Sequence, residues 1–194
     1  RIQQGQFRLE IVSPFFENRF PFYVMNVCRP FYMPWDEGKL RFRKQYREFH
    51  ERRERQVFVH TPCINDPAVE AAMDRYTGVV MKGLAPVRDL SLLYDLRDEP
   101  SMTSFLLAAD SCFCPHCLAG MRAWLKQRYA TLAALNRAWS TAFASWEAVV
   151  PLATQEALDR RAAGNWSFAP WADHRAFMDE SFRRAVARQA DRVR

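Results

Sequence analysis

Three cysteines, Cys112, Cys114 and Cys117, fall within six positions of a 194-residue chain that has only five. A Cys-x-Cys-x-x-Cys loop offers three thiolates on one tight turn, and tetrahedral zinc takes four ligands. Cys63 closes an apolar run that reads as a strand, and loops that follow neighbouring strands of a parallel sheet meet at one edge. Cys63, Cys112, Cys114 and Cys117 are therefore expected to close a structural zinc site around a loop at 110–118. Such a site holds loops in place and leaves no coordination position open for catalysis. His116 is the competing ligand, and three ordinary thiols are the alternative to any metal. The spacing matches neither ferredoxin pattern, which argues against an iron–sulfur cluster. Cys28 reads as a small buried hydrophobe. An odd number of cysteines, clustered in this way, is not a secreted disulfide framework.

The rest of the chain alternates. "FPFYVMNVC" (20–28), "QVFVHTP" (56–62) and "LSLLYDL" (90–96) are apolar runs that read as buried strands. Between them lie a charged helix over 37–55 and a helix over 66–84, which Asp66 caps and Pro67 opens. Beyond "RDEPS" the pattern is helical: Leu118, Met121, Trp124 and Leu125 share a face that Tyr129 continues. Thr131 can cap a second helix carrying Leu132, Leu135 and Trp139, and a last long helix follows a polar stretch at 160–170. Strands alternating with helices make an α/β fold with a parallel sheet and crossover connections. Three strands close nothing, so the chain reads as part of a larger barrel or sheet. The first residues lack an initiator Met and a signal-type apolar stretch, and the last lie within a helical pattern. Truncation at both ends is the expectation.

Composition excludes several classes. Hydrophobic residues make up 49% of the chain, which argues against disorder, yet no apolar run is long enough to span a bilayer. The net charge is +6, but in the most basic run (39–56) Glu48, Glu51 and Glu54 lie among the arginines at helical spacing. That describes an ion-paired, solvated helix and not a nucleic-acid footprint. No nucleic-acid or membrane partner is expected, and a cytoplasmic location is.

In parallel α/β folds the chemistry sits where strands end at their carboxyl side. The third strand ends on Asp95-Leu96-Arg97-Asp98-Glu99, the most polar of the three ends. Directly after an apolar strand, Glu99 would be partly desolvated. Its pKa would rise, which suits a general acid. The alternative is a charged loop in which Glu99 pairs with Arg97.

The stretch "DE…CFCPHC…MRAWLKQRYATLAALNRAWSTAFASWEAVVP" resembles the segment after the fourth barrel strand in family-42 glycoside hydrolases, the bacterial β-galactosidases. The matching residues are Arg122, Trp124, Leu125, Tyr129, Thr131, Leu135, Asn136, Ala138, Trp139, Thr141, Phe143, Ser145 and Pro151. The resemblance is strong over about 95–151 and weaker over 20–90 and 165–194. It implies a partial (β/α)8 TIM barrel, about strands two to four with the helices that follow, because a whole barrel takes about 250 residues. It also implies retaining hydrolysis of β-galactosides or related substrates by the full-length protein, with room for a homo-oligomer. Glu99 would be the acid/base residue, Asp98 and His60 would contact substrate, and Cys63, Cys112, Cys114 and Cys117 would hold structural zinc. The nucleophile would lie beyond Arg194, so the 194 residues alone would be inactive. This sequence departs from the family at Asp98, where the family has Asn, and at Val59 and His60, where it carries an Arg. It departs again at Ala130 and Ser140, where it has glycines, and at Ala144, where it has Trp. The rival reading is a zinc-stabilised, non-catalytic carbohydrate-binding or scaffold barrel, which the Asp98 substitution keeps open.

Overall fold

A computed structural model describes residues 2–3, 6–7, 17–28, 35–59, 63–96, 110 and 112–194. Near the amino terminus β1 (Ile2–Gln3) pairs antiparallel with β2 (Gln6–Phe7). Further along, β3 (Phe22–Val24) runs parallel to β4 (Ser91–Tyr94). Their ladder continues past the strand ends: Asp95 N–H donates to Val24 C=O at 2.8 Å, and Val27 and Cys28 N–H donate to Asp95 and Leu96 C=O at 3.0 Å each. Between the two strands the chain forms α1 (Trp35–Arg52), a 3-10 turn (Arg55–Val57), α2 (Pro67–Leu84) and a second 3-10 segment (Ala85–Leu90). After β4 come α3 (Pro115–Tyr129), α4 (Leu132–Trp139), α5 (Thr154–Ala162) and α6 (Ala169–Val193). Among the described residues, none of these helices is long and apolar enough to cross a membrane.

One expected strand does not form among the described residues. Over 56–62 the described part is the 3-10 turn followed by irregular Phe58 and Val59. The apolar run buries itself differently: Phe58 tucks between Phe49 of α1 and Phe113, with ring centroids 4.8 and 6.3 Å away. Its backbone makes one cross-chain bond, Phe113 N–H to Phe58 C=O at 2.9 Å. A short apolar run buries equally well in a strand or under a helix, and periodicity does not separate the two. The parallel sheet therefore has two strands among the described residues, not three. The fold is a helix-rich α/β arrangement in which the partial barrel is not itself displayed. Tyr23, Met25, Leu92 and Leu93 on this strand pair are about half exposed or more.

The helices start where the sequence signals it. Asp66 accepts from Ala68 N–H at 2.8 Å ahead of Pro67, and Thr131 accepts from Ala134 N–H at 3.1 Å. In α2 the buried residues Met73, Thr77, Val80 and Leu84 recur at spacings of four and three, one face of a helix. That face packs on α6 through a buried polar seam. Thr77 Oγ1 donates to Gln189 Oε1 at 2.7 Å, and Gln189 Nε2 donates to Asp74 at 3.0 Å. Arg188 and Arg192 pair with Asp74 at 2.6 and 3.0 Å. Cys28 is fully buried beside this seam, 3.3 Å from Thr77 Oγ1, and burial pushes its thiol up, as expected of a small core residue.

A second junction gathers α3, α4 and α6. Asp173, a buried carboxylate of α6, accepts from Tyr129 Oη at 2.6 Å and Trp139 Nε1 at 2.7 Å, and pairs with Arg128 at 3.2 Å. The two turns flanking α4 carry backbone that glycine would adopt more readily: Ala130 has φ 60° and Ser140 φ 53°. A positive φ costs a residue with a Cβ about 1–2 kcal/mol, and glycine's greater unfolded-chain freedom offsets about 0.5–1 kcal/mol of the relief. Ala130→Gly and Ser140→Gly are each expected to stabilise the chain by about 0.5–1 kcal/mol. Urea unfolding checks this, and a loss of stability in both variants would contradict it.

Candidate functional site

The thiol cluster is assembled from two distant segments. Cys63 precedes the turn that leads into α2, where its carbonyl accepts from Asp66 N–H at 3.0 Å. Cys112, Cys114 and Cys117 run into the first turn of α3, where Cys114 is the N-cap and Pro115 follows it. All four side chains are buried and their sulfur atoms lie within 4.8 Å of one another. The Cys63 sulfur is 3.4 Å from those of both Cys114 and Cys117. Four thiolates at the usual zinc–sulfur bond length of about 2.3 Å stand about 3.8 Å apart in a tetrahedron. The donor set, its spacing and its burial therefore fit a four-coordinate metal ion.

The surroundings suit anionic sulfur. Cys117 N–H donates to the Cys114 sulfur at 3.4 Å, and Asn65 Nδ2 donates to the Cys117 sulfur at 3.3 Å. The start of α3 adds the positive end of the helix dipole. The four groups also compete. Side-chain hydrogen bonding with Cys112 first, then with Cys117 and Cys63, holds the Cys114 thiol far below the ordinary range. Cys112 and Cys117 are pushed up in turn, Cys112 first by Cys114 and Cys117 first by Cys112. Four neighbouring thiols cannot all ionise by themselves, and a divalent cation removes that conflict. His116, the competing ligand, lies outside the cluster: it is half exposed, and its Nε2 is 3.9 Å from Asp66.

Two supports of the loop carry no signal in the sequence. Asp110 is buried and accepts from both Thr154 N–H (2.6 Å) and Thr154 Oγ1 (2.8 Å), while Trp171 Nε1 donates to that hydroxyl at 3.0 Å. The loop is thus tied to the starts of α5 and α6, although burial raises the Asp110 pKa. His174 is buried against Phe113, ring centroids 4.5 Å apart. Burial lowers its pKa to about 4, so the ring is neutral at pH 7. Both residues are brought in by tertiary packing, and only their place in otherwise apolar helical or loop surroundings could have marked them.

Glu99, Asp98 and His60 lie outside the described residues. The structure describes the strand that leads to the first two: β4 ends at Tyr94, and its ladder with β3 runs on to Leu96. Glu180, a glutamate of the last helix, is partly exposed and paired with Arg183 through two contacts of 2.7 Å.

Residues 94–194, just over half of the chain, match the model of glycoside hydrolase family 42, described as beta-galactosidase. Among curated proteins, beta-galactosidase BgaA of a Thermus species is 59% identical over 32 residues, 16% of this chain and 5% of that protein. Beta-galactosidase LacZ of Heyndrickxia coagulans is 33% identical over 75 residues, 36% of this chain and 10% of that protein. Among solved structures, the beta-galactosidase from Bacillus circulans sp. alkalophilus aligns with a TM-score of 0.51 at 22% identity, over 68% of this chain and 19% of that one. The likeness in structure concerns the fold, and the matched regions span a tenth or less of the two curated proteins.

The geometry predicts one metal ion per chain by elemental analysis of protein purified without added metal. Cys114→Ser is expected to lose the metal and to lower the melting temperature, whereas Cys28→Ser, buried elsewhere, should retain it. Folded, metal-free protein whose melting a chelator leaves unmoved would rule the site out.

Proposed function

The chain belongs to glycoside hydrolase family 42, and from that premise we propose that it supplies the acid/base half of a retaining β-glycosidase site within a longer protein. The observation that carries the reading is the buried four-thiol cluster. Three of its thiols, Cys112, Cys114 and Cys117, stand on a loop inside the family match, the first of them thirteen residues beyond Glu99, and Cys63 joins them from an earlier turn. The substrate class is a β-galactoside or a related β-glycoside.

Retaining hydrolysis uses two carboxyl groups about 5–5.5 Å apart. In this reading Glu99 protonates the departing glycosidic oxygen and then takes a proton from water as the glycosyl-enzyme is cleaved. Asp98 and His60 contact the sugar. Asp98 accepts hydrogen bonds where the family's Asn would donate one, and its charge beside Glu99 raises the Glu99 pKa further. Zinc is the metal assigned to Cys63, Cys112, Cys114 and Cys117. Bound there it is structural, since four protein thiolates leave no position for water or substrate. What the thiol loop contributes is rigidity: it fixes the start of α3 against the Cys63 turn. Thiols that stay reduced suit the cytoplasm.

The nucleophile is assigned outside these 194 residues. Without it no covalent intermediate forms, so the chain alone is expected to be inactive on a panel of aryl β-glycosides. Turnover by the chain, abolished by Glu180→Ala, would overturn that assignment. In a longer protein that includes the missing carboxylate, Glu99→Gln should lose least activity on aryl glycosides with good leaving groups, which need little protonation. Azide should restore turnover by attacking the intermediate without base assistance. Wild-type rates for Glu99→Gln on an unactivated disaccharide would refute the role of Glu99. Sugar binding without turnover by the longer protein would instead favour the non-catalytic, zinc-stabilised carbohydrate-binding barrel.

A further inference from the structure

Tetrahedral coordination treats four sulfurs alike, but the fold does not. Cys63 and Cys114 keep 7% and 5% of their surface open to solvent, against 1% each for Cys112 and Cys117. The Cys63 and Cys114 sulfurs are also in contact, 3.4 Å apart, although 51 positions of chain separate them. Cys63 lies equally near Cys117, but that residue is deeper and its sulfur already accepts from Asn65 Nδ2 at 3.3 Å. A cleft of about 290 Å³ between α2, α3 and α6 reaches the edge of the cluster. It is lined by Asn65 and by Ile64 and His116, the chain neighbours of Cys63 and Cys117. A peroxide, little larger than the water molecule whose share of liquid volume is about 30 Å³, enters such a space.

We propose that Cys63 and Cys114 form an oxidative pair: a peroxide joins them in a disulfide, and the cluster gives up its metal while the two segments stay tied. In the first step the Cys114 sulfur attacks one oxygen of hydrogen peroxide, the O–O bond breaks, and Cys114 becomes a sulfenic acid as hydroxide leaves. In the second the Cys63 sulfur attacks the Cys114 sulfur, the S–O bond breaks, and the remaining oxygen leaves. The two thiol protons depart with the two oxygens, so two thiols and one peroxide give one disulfide and two waters. Closing 3.4 Å to a sulfur–sulfur bond of about 2.05 Å takes a shift of about 1.4 Å. Cys112 and Cys117 remain, half of the ligands that a closed zinc site takes. The new bond spans the same two segments as the cluster, so oxidation exchanges one cross-link for another. Release of metal rests on the assignment of a metal to the cluster, whereas the pairing rests on the sulfur geometry alone.

The test treats the full chain, as purified, with dilute hydrogen peroxide. Two of its five thiols should be lost, and peptide mapping should find Cys63 joined to Cys114. One metal ion per chain should pass to a chromogenic chelator. Dithiothreitol should restore the lost thiols, and the oxidised chain should melt above the reduced chain stripped of metal by chelator. Protein that carries no metal at the outset would refute the metal site, and the mapping would still decide the pairing. The proposal fails if peroxide leaves the thiols intact or if the main disulfide joins any other pair. It fails equally if metal stays bound once Cys63 and Cys114 are joined, or if the oxidised chain melts no higher than the stripped one.

Discussion

Four sulfur atoms confined to one buried volume are the constraint around which the carboxyl-terminal half is arranged. Cys63, Cys112, Cys114 and Cys117 belong to the same buried cluster as Met121, Leu125, Leu135, Trp139 and Phe177, so the thiols are part of the core and not an appendage to it. Protonated, they pack as small hydrophobes. Ionised, they need a cation, because donors such as the Cys117 N–H, Asn65 and the start of α3 offset part of their charge and not all of it. Core packing and metal affinity are therefore one free energy, divided differently according to the state of the sulfurs.

The remaining helices are held by buried polar groups that each serve several elements. Asp173 joins three helices through Tyr129, Trp139 and Arg128, and Gln189 joins α2 to α6 beside Cys28. Such groups favour a single arrangement, since a shifted helix would strand a buried carboxylate or amide without its donors. This accounts for a well-defined helical layer beside a strand pair that is short and half exposed.

How legible each feature was in the sequence depended on how local its cause is. Asp66, Pro67 and Thr131 act within one turn of themselves, and the helices they open lie where they signal. The four cysteines were legible because tetrahedral coordination demands a fixed number of thiols, and the three-in-six spacing supplies most of them. The burial of Phe58 in place of the strand expected over 56–62 was not, because besides Phe49 of the preceding helix it packs on Phe113, a partner far away along the chain. Asp110, Asp173 and Gln189 are ordinary polar residues on paper. Only the folded chain supplies the neighbours that give them roles. Ala130 and Ser140 lie between: the resemblance places glycines there, and the positive φ values give the reason.

Cys114 holds two offices at once, helix N-cap and member of the thiol cluster. Starting a helix is the slow, unfavourable step, and an N-cap lowers its cost. With a metal in the cluster, as proposed, one sulfur would both cap and coordinate, and the birth of α3 during synthesis would be coupled to the supply of that metal. Scarcity of that ion would then be felt first as a chain that hesitates to fold.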